Sequence, residues 1–236
     1  MSHTTPNKDC ESCNSRESGI LGCLPEKVLA EFGVNKIRRT YQPGQVIFYE
    51  DHRPYGVYCL ESGTIKLSKQ HPDGKTYIAR IAKAGDLLGY RAFLTHETYA
   101  ATAEVLETAS ICFIEREPFM RALASAPKFA LRLMEQLGAD LRAAESRALD
   151  LAYASVSERL AEMLLMLKEA YGEADSAGAI HLKIKLSREE MANFLGTTVE
   201  TTVRTLTRFR ENQLIDFDKK ELIIKDLRGL AELIPG

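Results

Sequence analysis

The chain has 236 residues, enough for two modest hydrophobic cores rather than one. Its 31 Lys plus Arg against 33 Asp plus Glu leave a formal charge of -2, which excludes a bulk polyanion-binding surface and confines any nucleic-acid contact to a local patch. No stretch approaches the roughly 18 consecutive apolar residues of a membrane span, and MSHTTPNKD has neither the basic start nor the apolar core of a secretory signal, so a cytoplasmic protein without membrane contact is expected.

Residues 1–24 carry three of the five cysteines, Cys10, Cys13 and Cys23, in CESCNSRESGILGC. In a reducing compartment an odd number of cysteines argues against a disulfide framework, leaving metal ligation, thiol redox chemistry or inert burial. From Ile37 to about Ile114 apolar and polar residues alternate, and glycine-containing turns separate the runs QPGQVIF, GVYCLESGTIKL, HPDGKTYIARI, KAGDLLG and TAEVLETASICFI. Residues 25–115 therefore read as many short antiparallel strands in a sandwich or barrel, with no helix between them.

Residues 116–154 change to a helical period, with Pro118 and Pro127 placed to start a short helix and then a long one. On the long helix Ala130, Leu133, Leu137, Leu141, Ala144, Ala148 and Leu151 recur at three- and four-residue steps, leaving Asp140, Arg142, Glu145 and Arg147 outside. Such a narrow seam suits close packing against an identical helix; the alternative is that it packs only on the strand domain of its own chain. A hinge is expected at Ala154–Ser157.

In residues 155–236 a further amphipathic helix carries Leu160, Met163, Leu164 and Leu167, and EADSAGA reads as a loop. KLSREEMANFLGTTVETTVRTLTRF then holds two helix starts of capping-box form, Ser187 with Glu190 and Thr197 with Glu200, around a turn at Gly196. Two short helices joined this way make a helix-turn-helix, and LIDFDKKELIIK adds two strands as a wing.

In the second of these helices Thr202, Leu206 and Phe209 form an inward stripe, so Val199, Glu200, Val203 and Arg204 point outward near its start. In a major groove Arg204 can bond guanine bidentately, Glu200 can accept from cytosine N4, and the valines can meet thymine methyls. Arg188, Arg208, Arg210, Lys183 and Lys185 are then available to phosphates. From Ser157 onward there are 12 Lys plus Arg against 14 Asp plus Glu, so bulk charge does not argue for DNA. The bland alternative is a solvated helix in a protein-interaction adaptor; two outward valines beside Glu200 and Arg204 favour a groove.

Taken together, ESGTIKL, KAGDLLG and SREEMANFLGTTVETTVRTLTRF in this order resemble the CRP/FNR family of bacterial transcription regulators, over nearly the whole chain. The resemblance implies an α+β fold with an N-terminal antiparallel β jelly-roll of the cyclic-nucleotide-binding type as sensor, a long dimerisation helix and a C-terminal winged helix-turn-helix. It also implies a homodimer on a palindromic double-stranded operator, with RNA polymerase as a further partner. Glu200 and Arg204 match the family's reading pattern and Val199 matches its FNR branch, so a half-site resembling TTGA is expected. Val203 departs from the serine common in that branch.

Cyclic-nucleotide members of the family hold the phosphate and ribose with an arginine and a glutamate after a G-D-x-x-G turn. Here Tyr90 stands in the glutamate's place and Ala100 in the arginine's, with Arg91 matching neither, so cAMP is not the expected effector. A different organic ligand near Tyr90, Arg91 and Tyr99 is one alternative. FNR-like oxygen sensors instead ligate a [4Fe-4S] cluster, and by resemblance Cys10, Cys13 and Cys112 match its ligands, with Cys23 as the fourth across a longer gap. Zinc binding and direct thiol oxidation are the other thiolate readings, and Cys59 reads as an ordinary buried residue. The five histidines, at positions 3, 52, 71, 96 and 181, form no ligand spacing and no nucleophile–base pair is apparent, so an enzyme is not expected.

Overall fold

A computed structural model describes residue 13 and residues 19–176, 178–219 and 221–234. The chain divides into two compact units, Met1–Arg142 and Ala143–Gly236. The alternating stretch forms β1 (Lys36–Tyr41), β2 (Val46–Phe48), β3 (Gly56–Gln70), β4 (Thr76–Ala82), β5 (Leu87–Leu88) and β6 (Thr102–Glu115). These pair antiparallel in the order β1-β6-β3-β4, with β2 added to β6 and β5 to β3. The long central strands β3 and β6 are in register at Cys59–Cys112 and Leu60–Ile111, with bulges beyond Leu60 that bend the sheet into a roll.

Two helices in this unit depart from the strand-only expectation. α1 (Glu26–Asn35) precedes the sheet, and α2 (Tyr90–Thr95) follows β5. α2 starts at Gly89, whose backbone is left-handed at φ 77, and a Cβ there would stand 2.8 Å from the Tyr99 ring. Glycine is needed both for that conformation and for that approach. The helix is only six residues long, too short for a periodic signal to separate it from a loop.

α3 (Arg116–Ser125) and α4 (Pro127–Tyr153) follow as expected. Phe93, Phe119 and Phe129, stacked edge to face, join Leu21, Leu29 and Val57 in one core of the first unit. A second core inside the roll gathers Phe48, Leu60, Ile65, Tyr99 and Ile111.

The Ala143–Gly236 unit contains the end of α4, then α5 (Val156–Tyr171), β7 (Gly172–Ala174), β8 (Ile180–Leu182), α6 (Arg188–Leu195), α7 (Val199–Glu211), β9 (Ile215–Asp218), β10 (Glu221–Ile224) and α8 (Leu227–Glu232). Leu160, Met163, Leu164 and Leu167 are buried there, as their helical spacing predicts. The start of EADSAGA is not loop: Glu173 and Ala174 belong to β7, which pairs with β8, and the four-stranded wing runs β7-β8-β10-β9.

The division between units also falls within α4, not at Ala154–Ser157. One guanidinium holds the end of α4 to this unit: Arg159 donates to the carbonyls of Asp150 and Ala154 at the end of α4, and to Leu195 O at the end of α6. Carbonyls at a helix end are short of backbone donors, so one half-buried cation bonding two helix ends ties the last turn of α4 to the helix-turn-helix. No helix among the described residues is long and apolar enough to cross a membrane.

Candidate nucleic-acid interface and sensor site

The helix-turn-helix is built by its caps. Ser187 accepts from Glu190 N at 3.1 Å while the Glu190 carboxylate accepts from Ser187 N at 2.9 Å, closing the expected box on α6. α6 ends at Gly196, in left-handed conformation at φ 62, with Leu151 packed so close that a Cβ would meet it at 2.7 Å. For α7 the cap differs from expectation. Thr198, not Thr197, is the N-cap and accepts from Thr201 N at 3.2 Å, so Glu200 is not spent on a capping box.

α7 buries Thr202, Thr205, Leu206 and Phe209. The hydroxyls of Thr202 and Thr205 donate to the carbonyls four residues earlier, at 3.0 and 2.8 Å, which satisfies them without an outside partner. The opposite face carries Glu200 and Arg204, both exposed, beside Val199 and Val203, each 43% exposed. The four expected reading residues thus share one open surface on a capped helix.

The expected phosphate-contacting cations are less uniform. Arg188 lies over the Phe217 ring at 4.4 Å, which anchors the start of α6 to the wing. Arg208 donates to Ser157 on α5. Arg210 of α7 pairs with Asp216 at 3.1 Å and Lys183 with Glu221 at 2.6 Å, so these two are engaged with wing carboxylates, while Lys185 is exposed.

In the first unit Tyr90, Arg91 and Tyr99 do line one cavity, together with Phe48 and Arg80, but only about 50 Å³ of it remains. Tyr99 stacks on Phe48 at 4.0 Å and hydrogen-bonds Tyr58. Burial, then the neighbouring Tyr58, holds the Tyr99 hydroxyl well above the ordinary phenol range, so it stays protonated. Pockets for organic ligands run to about 300 Å³ and more, so the space left between these aromatic side chains is small for one.

Tyr90 is buried and donates to Asp140 Oδ2 on α4 at 2.7 Å. Asp140 also accepts from Gln136 at 2.8 Å and stands 3.6 Å from Arg80, whose other nitrogen pairs with Asp86 at 2.7 Å. Asp140 was expected among the outside charges of the helix; it faces the roll instead. Arg147 is likewise not simply outward, lying 4.7 Å over the Phe194 ring. Neither partnership has a signal in sequence spacing, because both join residues far apart in the chain.

The long-helix seam divides. Leu133 is 2% exposed in its own unit's core and Leu137 packs against that core, so for these two the own-chain alternative holds. Leu141 and Leu151 are exposed, as are Ala144 and Ala148. Leu131 and Met134, absent from the expected seam, are exposed at 56% and 57%.

Of the cysteines, Cys10 lies outside the described residues. Cys13 is half-buried, Cys23 closes a 3-10 turn over Ile20–Cys23 with its thiol donating to Ile20 O at 3.2 Å, and Cys112 is buried on β6. Among the described residues no three His, Cys, Asp or Glu side chains gather as a metal-binding group. A cleft of about 640 Å³ opens beside Cys23, between the Gly19–Cys23 turn and Arg132, Glu135, Gln136 and Ala139 of α4.

Residues 38–126 match the cyclic nucleotide-binding domain model, and residues 158–233 the Crp-like helix-turn-helix model. The chain is 28% identical to the "Anaerobic regulatory protein" of Haemophilus influenzae, over 95% of this chain and 87% of that one. It is 29% identical to the "Transcriptional activator protein anr" of Pseudomonas aeruginosa, over 98% and 94%. In fold it is similar to FixK2 from Bradyrhizobium japonicum, with a TM-score of 0.76 at 22% identity, over 85% of this chain and 98% of that one. It is likewise similar to a CooA mutant from Carboxydothermus hydrogenoformans, at 0.72 and 23%, over 98% and 97%.

Proposed function

This chain belongs to the CRP/FNR family of DNA-binding transcription regulators, in its FNR-like branch, and we propose that it acts as a homodimer reading a TTGA-like palindrome under oxygen or redox control. The observation that carries the proposal is the exposed face of α7, where Val199 and Val203 lie beside Glu200 and Arg204. A solvated face gains nothing from two bare valines, whereas thymine methyls reward them, with Arg204 on guanine and Glu200 on cytosine N4. Arg188 at the start of α6 and Arg208 in the last turn of α7 are the cations assigned to phosphate contact, and RNA polymerase is the family's protein partner. Selection from a random duplex pool is expected to enrich inverted TTGA repeats; enrichment of no repeat, or of a repeat without TTGA, overturns this reading.

Dimerisation is assigned to α4. Leu131, Met134 and Leu141 are exposed at spacings of three and seven, the pattern of a coiled-coil seam, and Ala148 continues it.

For the signal, four thiolates are the donor chemistry an iron–sulfur cluster takes, and Cys10, Cys13, Cys23 and Cys112 would hold it. A bound cluster would supply oxygen-sensitive electron transfer. Cys23 must first release Ile20 O, and its cleft borders α4, so a change at Cys23 is felt at the proposed dimer helix. The name of the Haemophilus relative, "Anaerobic regulatory protein", supports regulation of this kind, and the small cavity beside Tyr90 and Tyr99 favours it over an organic effector. Anaerobic purification is expected to give brown protein with iron and sulfide, lost in Cys112→Ser; colourless, iron-free wild type contradicts the cluster.

A further inference from the structure

We propose that Cys59 and Cys112 are a reactive thiol pair, closing to a cross-strand disulfide when the metal-free protein meets peroxide. Cys59 on β3 and Cys112 on β6 are direct partners in the antiparallel register. Directly opposed residues project to the same face with Cα atoms about 4.5–5.5 Å apart, inside the range of about 4.4–6.8 Å that a disulfide spans. The strands cannot slip away from that arrangement, because Cys112 is also paired with Arg38 on β1 and Cys59 with Leu87 on β5. Cys59 is half-buried and packs, like Cys23, against the core below the N-terminal turn, whereas Cys112 is only 6% exposed. Cys59 is therefore the entry point and Cys112 the resolving thiol.

The Cys59 thiolate attacks hydrogen peroxide, forming an S–O bond as the O–O bond breaks, and the departing hydroxide takes a proton to become water. Cys112 sulfur then attacks the Cys59 sulfenic acid, forming S–S and breaking S–O, with the second hydroxide leaving as water with the Cys112 proton. Two thiols lose two electrons and one peroxide becomes two waters. The consequence rests on the proposed function: a disulfide removes Cys112 from the donor set, so peroxide would lock the sensor in its cluster-free form until a dithiol reduces it.

The test uses full-length, iron-free, reduced protein treated with one equivalent of hydrogen peroxide, alkylated and digested with trypsin. Cys59 and Cys112 fall in separate peptides, Thr40–Lys66 and Ala92–Arg116. These are expected cross-linked in wild type, and both alkylated after dithiothreitol. In Cys59→Ser the cross-link is absent. Peroxide-treated wild type should take up iron and sulfide at least ten-fold less than Cys59→Ser. Alkylated Cys112 in oxidised wild type, or Cys112 linked instead to Cys10, Cys13 or Cys23, overturns the proposal. If no form takes up iron, the cluster reading fails while the cross-link still decides this one.

Discussion

At the level of single residues, the first unit depends on polar groups whose partners lie across the sheet. Glu61 accepts from Arg38 Nε at 2.5 Å and from Ser110 Oγ at 2.6 Å. Burial is the largest single influence on its carboxyl and pushes it up, but the Ser110 and Arg38 hydrogen bonds and the Arg38 charge together outweigh it and hold it below the ordinary glutamate value. A depressed acid contributes stability above its unfolded pKa and loses it as pH falls through the folded one. Glu61→Gln is therefore expected to cost about 1–3 kcal/mol at pH 7, with the gap to wild type closing below the ordinary glutamate range. Urea melts at pH 7 and pH 3.5 check this, and a gap that widens in acid contradicts it. Sequence gave no hint of Glu61 or Asp140, because nothing in local spacing reveals a partner at a distance. The exposed face of α7 was legible for the opposite reason: Thr202, Leu206 and Phe209 define the inward stripe within a few residues, and the outward positions follow.

At the level of elements, α4 is where local pattern misled. A Leu/Ala stripe looks alike whether it faces a neighbouring copy or its own domain. Leu133 and Leu137 turned out to face the roll, while Leu131 and Met134, one step round the helix, face out. Leu141→Glu places a charge on the exposed seam without touching the core that holds Leu133. Sedimentation velocity is expected to show monomer where wild type is dimeric, with unchanged helical circular dichroism and duplex affinity reduced at least ten-fold, since two half-sites are no longer held together. A Leu141→Glu dimer of wild-type affinity contradicts the assignment. The missed elements share a cause: α2 and the β7–β8 hairpin are too short for periodicity to register, and α1 lies in a stretch where the strand pattern had not yet begun. The cap on α7 moved by one residue because adjacent threonines, Thr197 and Thr198, compete for the position, and only backbone geometry separates them.

For the whole molecule, order along the chain was legible: strands, a long helix, then a winged helix-turn-helix. The unit boundary was not, because it falls inside a continuous helix where composition does not change. Arg159, which closes α4 and α6 together, makes the end of α4 part of the DNA-binding unit. The proposed function turns on α7 reading sequence through Glu200 and Arg204. Fluorescence anisotropy with a TTGA palindrome and with the same duplex carrying substituted TTGA guanines tests it directly, at two salt concentrations. Wild type is expected to prefer the intact duplex by ten-fold or more per altered half-site, and Arg204→Ala to bind both alike while keeping the wild-type salt dependence to within about one counterion. Equal binding of both duplexes by wild type, or undiminished discrimination in Arg204→Ala, would contradict it.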